Sequence, residues 1–251
     1  LEVRLFDRMP SGYAMTPAGE AMLRTADRVE EEISALEREL TGQDTRLVGT
    51  LRVTTTDTLA LKLLGPALAE FRTRYCGIAI ELVIDNAFFS LTKREADIAI
   101  RPTSEPPENL IGRKVCDVAT AIYGSLDYRK KNTSRALNKH QWVLPDESLS
   151  HLASARWLSK RYPDAAAVLK CNSLVGLHEA VRCGIGIAPL PCFIGDADDS
   201  LTRIRAPIPE LATALWILIH PDLRRTARML AFMDFMSTDF RHHQDLLEGR
   251  R

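Results

Sequence analysis

The side chains best suited to chemistry in this chain sit just past apolar, β-rich runs. Thr54-Thr55-Thr56-Asp57-Thr58 follows Leu51-Arg52-Val53, Asp85-Asn86 follows Ile78 to Ile84, and Arg101-Pro102-Thr103 follows Asp97 to Ile100. Further along, Asp146-Glu147-Ser148 follows Gln141 to Leu144, and Asn172-Ser173 precedes a run of helical period. Ligands of open α/β sheets bind outside the carboxyl ends of the strands. The candidate ligand residues are therefore Thr55, Thr56, Asp57, Thr58, Asn86, Arg101, Pro102, Thr103, Ser148, Asn172 and Ser173. Helix N-termini near Thr58 and Ser173 would add unpaired N–H groups and partial positive charge, which suits a small anion. Arg101 suits a bidentate clamp on a carboxylate. Asp57, Asp85, Asp146 and Glu147 would oppose an anion, and threonine and aspartate also serve as strand formers and caps. A small carboxylate or another polar metabolite is the expected ligand.

Other strings point away from catalysis. Ser90-Leu91-Thr92-Lys93 fits the S-x-x-K string of serine acylases, but no partner motif follows. His242-His243 reads as solvated side chains rather than a metal site, and Gly184-Ile185-Gly186 is no phosphate loop. Trp142, Trp157 and Trp216 read as core or hinge packing. No nucleophile stands beside a base, so no catalytic or metal-ligating residue is assigned, no cofactor is expected, and the chain reads as a non-enzyme. The five cysteines are widely spread without a C-x-x-C pair, which reads as reduced thiols in a cytoplasmic core.

Composition sets the frame for these residues. With 251 residues, 45% hydrophobic and 26% charged, the chain is long enough for one or two domains with a sizeable core. Lys+Arg and Asp+Glu balance at 33 each, so no global field marks a binder of polyanions or acidic membranes. The longest apolar stretch, Leu211 to Ile219, has nine residues, against the ~20 that a membrane span needs. No charged and apolar leader opens the sequence.

The first 50 residues differ in character from the rest. Leu5 to Arg8 and Tyr13 to Met15 flank Pro10-Ser11-Gly12, a short hairpin in outline. Thr16-Pro17 supplies an N-cap and a proline at the first helical position. A helix of about 25 residues, ~37 Å long, should follow. Its apolar positions Met22, Ala26, Val29, Ile33, Leu36 and Leu40 are spaced 4, 3, 4, 3, 4. That narrow heptad stripe suits pairing with another helix, whereas a helix lying on its own domain has a wider one.

Beyond Gly49, strand and helix patterns alternate. Strands are expected at Leu51–Thr55, Ile78–Ile84, Asp97–Ile100, Val115–Tyr123, Gln141–Leu144, Ala166–Lys170, Ile185–Leu190 and Leu215–Ile219. Helices are expected at Leu59–Arg74 with a kink at Pro66, and at Phe88–Arg94, Leu149–Arg161, Leu174–Arg182 and Asp222–Phe240. The alternation argues for α/β with largely parallel sheets, and the basic stretch Arg129 to Lys139 reads as a connection between two lobes.

Several of these runs together resemble the LysR-type transcriptional regulators. Leu1 to Arg8 and Met15-Thr16-Pro17-Ala18-Gly19-Glu20 are similar to the end of that family's winged helix-turn-helix and the start of its dimerisation helix, with Glu2 where the family has glycine. Gly49 to Val53, Glu95 to Arg101, Ala180 to Pro191 and Leu215 to Arg225 resemble successive parts of its effector-binding domain. The resemblance implies a two-lobed α/β fold of the periplasmic-binding-protein type. Residues 1–16 would be the wing, 17–42 the linker helix, 50–125 plus 212–251 the first lobe, and 126–211 the second. It implies a cytoplasmic homodimer or homotetramer that binds promoter DNA and responds to a small-molecule effector between the lobes. Arg4, Arg8 and Ser11 would touch DNA phosphates, and the recognition helix would lie upstream of Leu1. Residues 1–48 carry six basic against ten acidic side chains, so this segment alone should hold DNA poorly. The rival readings are a solute-binding protein of a transporter with the same two lobes, and an enzyme on a similar scaffold. The heptad helix ahead of the first strand argues against the first, and the missing acid–base pair against the second.

Overall fold

Thr16 starts the first helix with its side chain. Its Oγ1 accepts from the Gly19 N–H at 3.1 Å and donates to the Arg4 carbonyl at 2.7 Å. A Cβ on Gly19 would lie 2.2 Å from the Leu5 carbonyl oxygen, so only glycine lets the helix approach the chain this closely. The computed structural model describes residues 3–9, 12–23, 25–26, 29–30, 33, 47–86, 96–165, 167–224 and 226–250. The chain divides into two units, Leu1–Thr45 and Arg46–Arg251.

In the first unit, β1 (Phe6–Met9) pairs antiparallel with β2 (Gly12–Met15), placing Phe6 opposite Met15. Residues 17–23, 25–26, 29–30 and 33 are helical and form α1. Met22, Ala26, Val29 and Ile33 are exposed on it, and Leu36, Leu40 and Ser11 lie outside the described residues.

The second unit holds two sheet systems. The larger sheet contains β3 (Gly49–Thr55), β4 (Ile78–Ile84), β5 (Ile98–Thr103), β6 (Ile111–Val118) and β12 (Thr213–Ile219), in the order β4-β3-β5-β12-β6. β3 runs parallel to both β4 and β5, with Thr55 opposite Ile84 on one side and Ile100 on the other. β12 returns antiparallel between β5 and β6. The smaller system contains β7 (Thr120–Ser125), β8 (Trp142–Pro145), β9 (Ala167–Cys171), β10 (Ala188–Pro191) and β11 (Leu201–Arg205). β7 is antiparallel to β10 and β11, while β8 and β9 are parallel and join through a Trp142–Ile187 bridge. The sheets are therefore mixed rather than largely parallel, because segments that cross between the sheets run back against their neighbours.

The helices keep the expected order, but the one expected over Asp222–Phe240 runs Ala227–His242 after a separate turn at Pro221–Leu223, and the first changes its winding. α2 (Asp57–Leu59) widens into a π turn over Ala60–Leu64 before α3 (Gly65–Arg74). Pro66 has no N–H to offer the preceding turn, so the expected kink takes the form of this wider turn. α4 (Leu126–Lys131), α5 (Ala153–Arg161), α6 (Leu174–Arg182), α7 (Cys192–Gly195), α8 (Ala227–His242) and α9 (Gln244–Leu247) complete the fold. The expected helix at Phe88–Arg94, with Ser90 to Lys93, lies outside the described residues. Among the described residues, no helix is long and apolar enough to cross a membrane.

The chain changes sheets at Ala119. One strand was expected from Val115 to Tyr123, but β6 ends at Val118 and β7 begins at Thr120 in the smaller sheet. The Ala119 N–H donates to the Leu247 carbonyl at 2.9 Å, and its carbonyl accepts from the Cys192 N–H at 2.9 Å. The chain returns through the segment between β11 and β12, where the Ile208 N–H donates to the Thr120 carbonyl at 3.0 Å. Arg129 to Lys139 is not the connection. Arg129 instead folds onto the carbonyls of Asn132 and Ser134 at the end of α4. Beyond α9, the Gly249 carbonyl accepts from Arg203 Nη2 of β11 at 2.9 Å. A Cβ on Gly249, whose φ is 65°, would meet Cys192 Sγ at 2.8 Å.

The core of the larger sheet rests on α3 and α8. Met229, Phe232, Met233, Met236 and Phe240 are buried along α8 at helical spacing. Phe71 of α3 stands edge-on to Phe232 at 5.0 Å and to Phe235 at 5.4 Å and is fully buried. Phe71→Ala removes this ring from between the two helices. It should cost about 3–5 kcal/mol, read as a lower midpoint in urea unfolding with an unchanged slope.

Candidate functional site

The parallel register of β3, β4 and β5 delivers three polar strand ends to one edge of the larger sheet. Across from that edge lies the start of α5. Between them is a cavity of about 280 Å³, just below the usual range of about 300–1,000 Å³ for ligand pockets. From the larger sheet it is lined by Thr56, Asn86 and the run Arg101 to Glu105. His151, Leu152, Ala153 and Arg156 line the opposite wall, and Thr213 contributes where the chain re-enters the larger sheet.

The expected site residues fall into three groups. Thr56, Asn86, Arg101, Pro102 and Thr103 line the cavity. Thr55 and Thr58 are buried behind it, Thr55 donating to the Ile100 carbonyl at 3.1 Å and Thr58 sharing a hydroxyl contact with Thr56 at 3.2 Å. Asp57, Ser148, Asn172 and Ser173 do not line it. Ser148 folds onto Asp146, which accepts from its N–H and hydroxyl at 2.9 and 2.6 Å. Asp146 and Glu147 belong to a second groove of about 780 Å³ between α5 and the β8–β9 pair, which shares Arg156 with the cavity, and Asn172 is exposed.

Arg101 is 2% exposed and donates through Nη2 to Thr54 Oγ1 at 2.9 Å. Burial pulls its guanidinium below the ordinary value, and the carboxylate of Asp85 works in the opposite direction. The acidic residues expected to oppose an anion are absent from the lining, where Glu105 is the single carboxylate among the described residues. Arg101, Arg156 and His151 stand against it. Among the described residues, no group of three or more His, Cys, Asp or Glu is placed to hold a metal ion.

The helix N-termini are also distributed differently from expectation. At the one near Thr58 the N-cap Thr56 makes no side-chain capping bond, and Asp57 Oδ1 accepts from the adjacent Thr58 N–H at 2.7 Å, which places a carboxylate rather than open N–H groups there. The one at α6 is capped by Ser173 Oγ, which accepts from the Gly176 N–H at 3.1 Å. The helix that does point its start at the cavity is α5. Leu152 occupies its N-cap and no side chain caps it, so its first-turn N–H groups have no partner within the helix. An apolar N-cap carries no capping signature, so the sequence offered only a weak sign of this feature. The expected start of that helix, Leu149, was four residues early.

The two sides also touch outside the cavity, where α6 packs against α2. Ser173 Oγ donates to Asp57 Oδ2 at 2.6 Å, and Asn86 Nδ2 donates to the same oxygen at 3.0 Å. The Asp57 N–H in turn donates to Asn86 Oδ1 at 3.1 Å. One turn further along α6, His178 is 8% exposed, with Nε2 3.0 Å from Asp198 Oδ2.

Comparison with known proteins gives one consistent result. Residues 44–241 match the model of the LysR substrate binding domain. The chain is 30% identical to the HTH-type transcriptional regulator CrgA of Neisseria meningitidis serogroup B, over 94% of this chain and 82% of that protein. It also superposes on the solved structure of CrgA, a LysR-type transcriptional regulator from Neisseria meningitidis. The TM-score is 0.65 at 24% identity, covering 94% of this chain and 84% of that one. The full-length structure of AphB, a Vibrio cholerae virulence activator, matches with a TM-score of 0.65 at 20% identity, covering 93% and 83%. The latter two similarities concern the fold.

Burial holds the His178 imidazole below its ordinary value of 6.5, against the pull of Asp198 and Glu179 and with the help of the Lys62 charge. A depressed histidine favours the neutral folded form. Its contribution to stability is complete above 6.5 and is lost as pH falls through the lower folded value. His178→Gln should therefore flatten the fall in melting temperature between about pH 7 and about pH 5.

Proposed function

The chain belongs to the LysR-type family of transcriptional regulators, and we propose that it controls transcription in response to a small carboxylate bound between its two lobes. The observation that carries this reading is the cavity, which joins two arginines from opposite walls to the open start of a helix. The carboxylate meets the first-turn N–H groups of α5 and the Arg156 guanidinium, both of which favour an anion. Arg101 supplies positive charge from the opposite wall. The apolar body of the ligand rests on Pro102, Leu152 and Ala153, and the hydroxyls of Thr56, Thr103 and Thr213 read its polar substituents. The first lobe extends over residues 50–119 with 212–251 and the second over 120–211, six residues earlier than the expected boundary at 125, because β7 belongs to the smaller sheet.

The regulator works in the cytoplasm as a homodimer or homotetramer on promoter DNA. The hairpin of β1 and β2 is the wing of its DNA-binding head, where Arg4, Arg8 and Ser11 meet backbone phosphates. Arg4 sits near Asp7 at 3.8 Å with 81% of its side chain exposed, so phosphate contact costs it little burial. The stripe of Met22, Ala26, Val29, Ile33, Leu36 and Leu40 pairs with the same stripe of a second copy. Val29 and Ile33 are 51% and 54% exposed, large apolar surface of the kind that a partner helix covers.

Two experiments test these proposals. Benzoate and other small monocarboxylates should raise the melting temperature of the chain. Arg156→Ala should weaken the tightest of them about tenfold to a hundredfold without lowering the ligand-free melting temperature. A panel of such acids that leaves melting unchanged would overturn the effector class. Replacing Val29 and Ile33 together with lysine should shift sedimentation towards the monomer, and unchanged association would remove the seam as the carrier of assembly.

A further inference from the structure

Asp57 and Ser173 stand in the sequence as two candidate ligands for an effector, yet the structure gives each of them to the other. The Asp57 carboxylate accepts from three donors: the Thr58 N–H, Asn86 Nδ2 and, from the start of α6 in the opposite lobe, Ser173 Oγ. Both its oxygens are therefore engaged, and neither belongs to the lining of the cavity. Asn86 does line the cavity and holds the Asp57 backbone as well, so the pair connects directly to the site wall. Ser173 is doubly used, donating to Asp57 while accepting from the Gly176 N–H as the cap of α6.

We infer that Asp57 and Ser173 are positioning residues that hold the two lobes at the separation that defines the 280 Å³ cavity, and that they contact no effector themselves. The inference rests on the effector reading for its consequence, but the bridge itself is a property of the protein without ligand. The bond is short and has an ionised acceptor, the stronger class of hydrogen bond. It ties the start of α2, directly behind β3, to the start of α6. It therefore limits the approach and separation of the cavity walls and sets the size of acid that the closed cleft encloses.

Ser173→Asp in the full chain separates this role from helix capping. Aspartate caps a helix as well as serine does, so α6 keeps its first turn. The new carboxylate faces that of Asp57 and offers no proton to it at neutral pH. Amide exchange at 57–64 and 174–182 should rise about tenfold without ligand, and the radius of gyration should increase. Adding Asp57→Asn restores a donor facing the new carboxylate and should return both readings towards the parent. Ser173→Gly, which keeps most of the capping but has no hydroxyl, should raise exchange in the same two segments. Parental exchange and scattering in both single variants would overturn the inference, as would opening that Asp57→Asn fails to reverse. Benzoate titrations on the same proteins separate the two ideas. If no small acid binds the parent while the variants open as described, the effector class falls and the bridge stands. If the acid binds parent and variants alike and exchange is unchanged, the bridge falls and the effector class stands.

Discussion

Because β3 is parallel to both β4 and β5, three strands release their chains at one edge of the larger sheet, and the wall of the cleft on that side follows from that register. Thr55 lies opposite Ile84 and Ile100, so the residues just beyond these positions emerge as neighbours although they are far apart in sequence. Thr54 then receives the Arg101 guanidinium, and Asn86 reaches Asp57. A slip of one residue in either pairing would send these side chains to the opposite face of the sheet. The fully buried residues Leu51, Val53, Ile98 and Ile100 fix the register by filling the core on alternate positions.

The electrostatics of the cleft depend on where the carboxylates are spent. Asp57 and Asp146 are each occupied by local donors, Asp57 by three and Asp146 by the Ser148 N–H and hydroxyl. Neither belongs to the lining of the cavity, although Arg156 also borders the groove that holds Asp146 and Glu147. The buried Arg101 is a costly group to place in a core, and its tie to Thr54 with the nearby charge of Asp85 offsets part of that cost. A chain of zero formal net charge can in this way present a locally positive pocket.

Much of this is legible in the sequence. The β-rich runs ending at Thr55 and Ile84, the Thr16-Pro17 start and the α8 periodicity each follow from local rules, and each appears where those rules place it. Five of the expected ligand residues line the cavity because the strand-end rule is itself a consequence of parallel pairing. The sequence was silent where tertiary contacts decide. β11, α4 and α7 are short and lack strong periodicity, and the break at Ala119 interrupts an otherwise continuous β-rich run. His151 and Arg156 enter the cavity because α5 packs with its start towards the larger sheet, and no spacing along the chain encodes that orientation. Asp57 and Ser173, 116 residues apart, could be read as polar strand and helix ends but not as each other's partners.

The backbone of Ala119 is held from both directions, its N–H by the Leu247 carbonyl and its carbonyl by the Cys192 N–H. Sliding the crossing strand along its axis would break both bonds, whereas torsion about the peptide chain need break neither. The segment after α8 shares that pivot, since Leu247 is fully buried beside it and Gly249 is tied to Arg203 in the smaller sheet. Residues 247–249 therefore act as part of the bearing rather than as an appendage. The stiffness of the hinge is written partly in a stretch of chain far from the cleft, where substitutions would alter how the lobes move while leaving the residues that line the cavity intact.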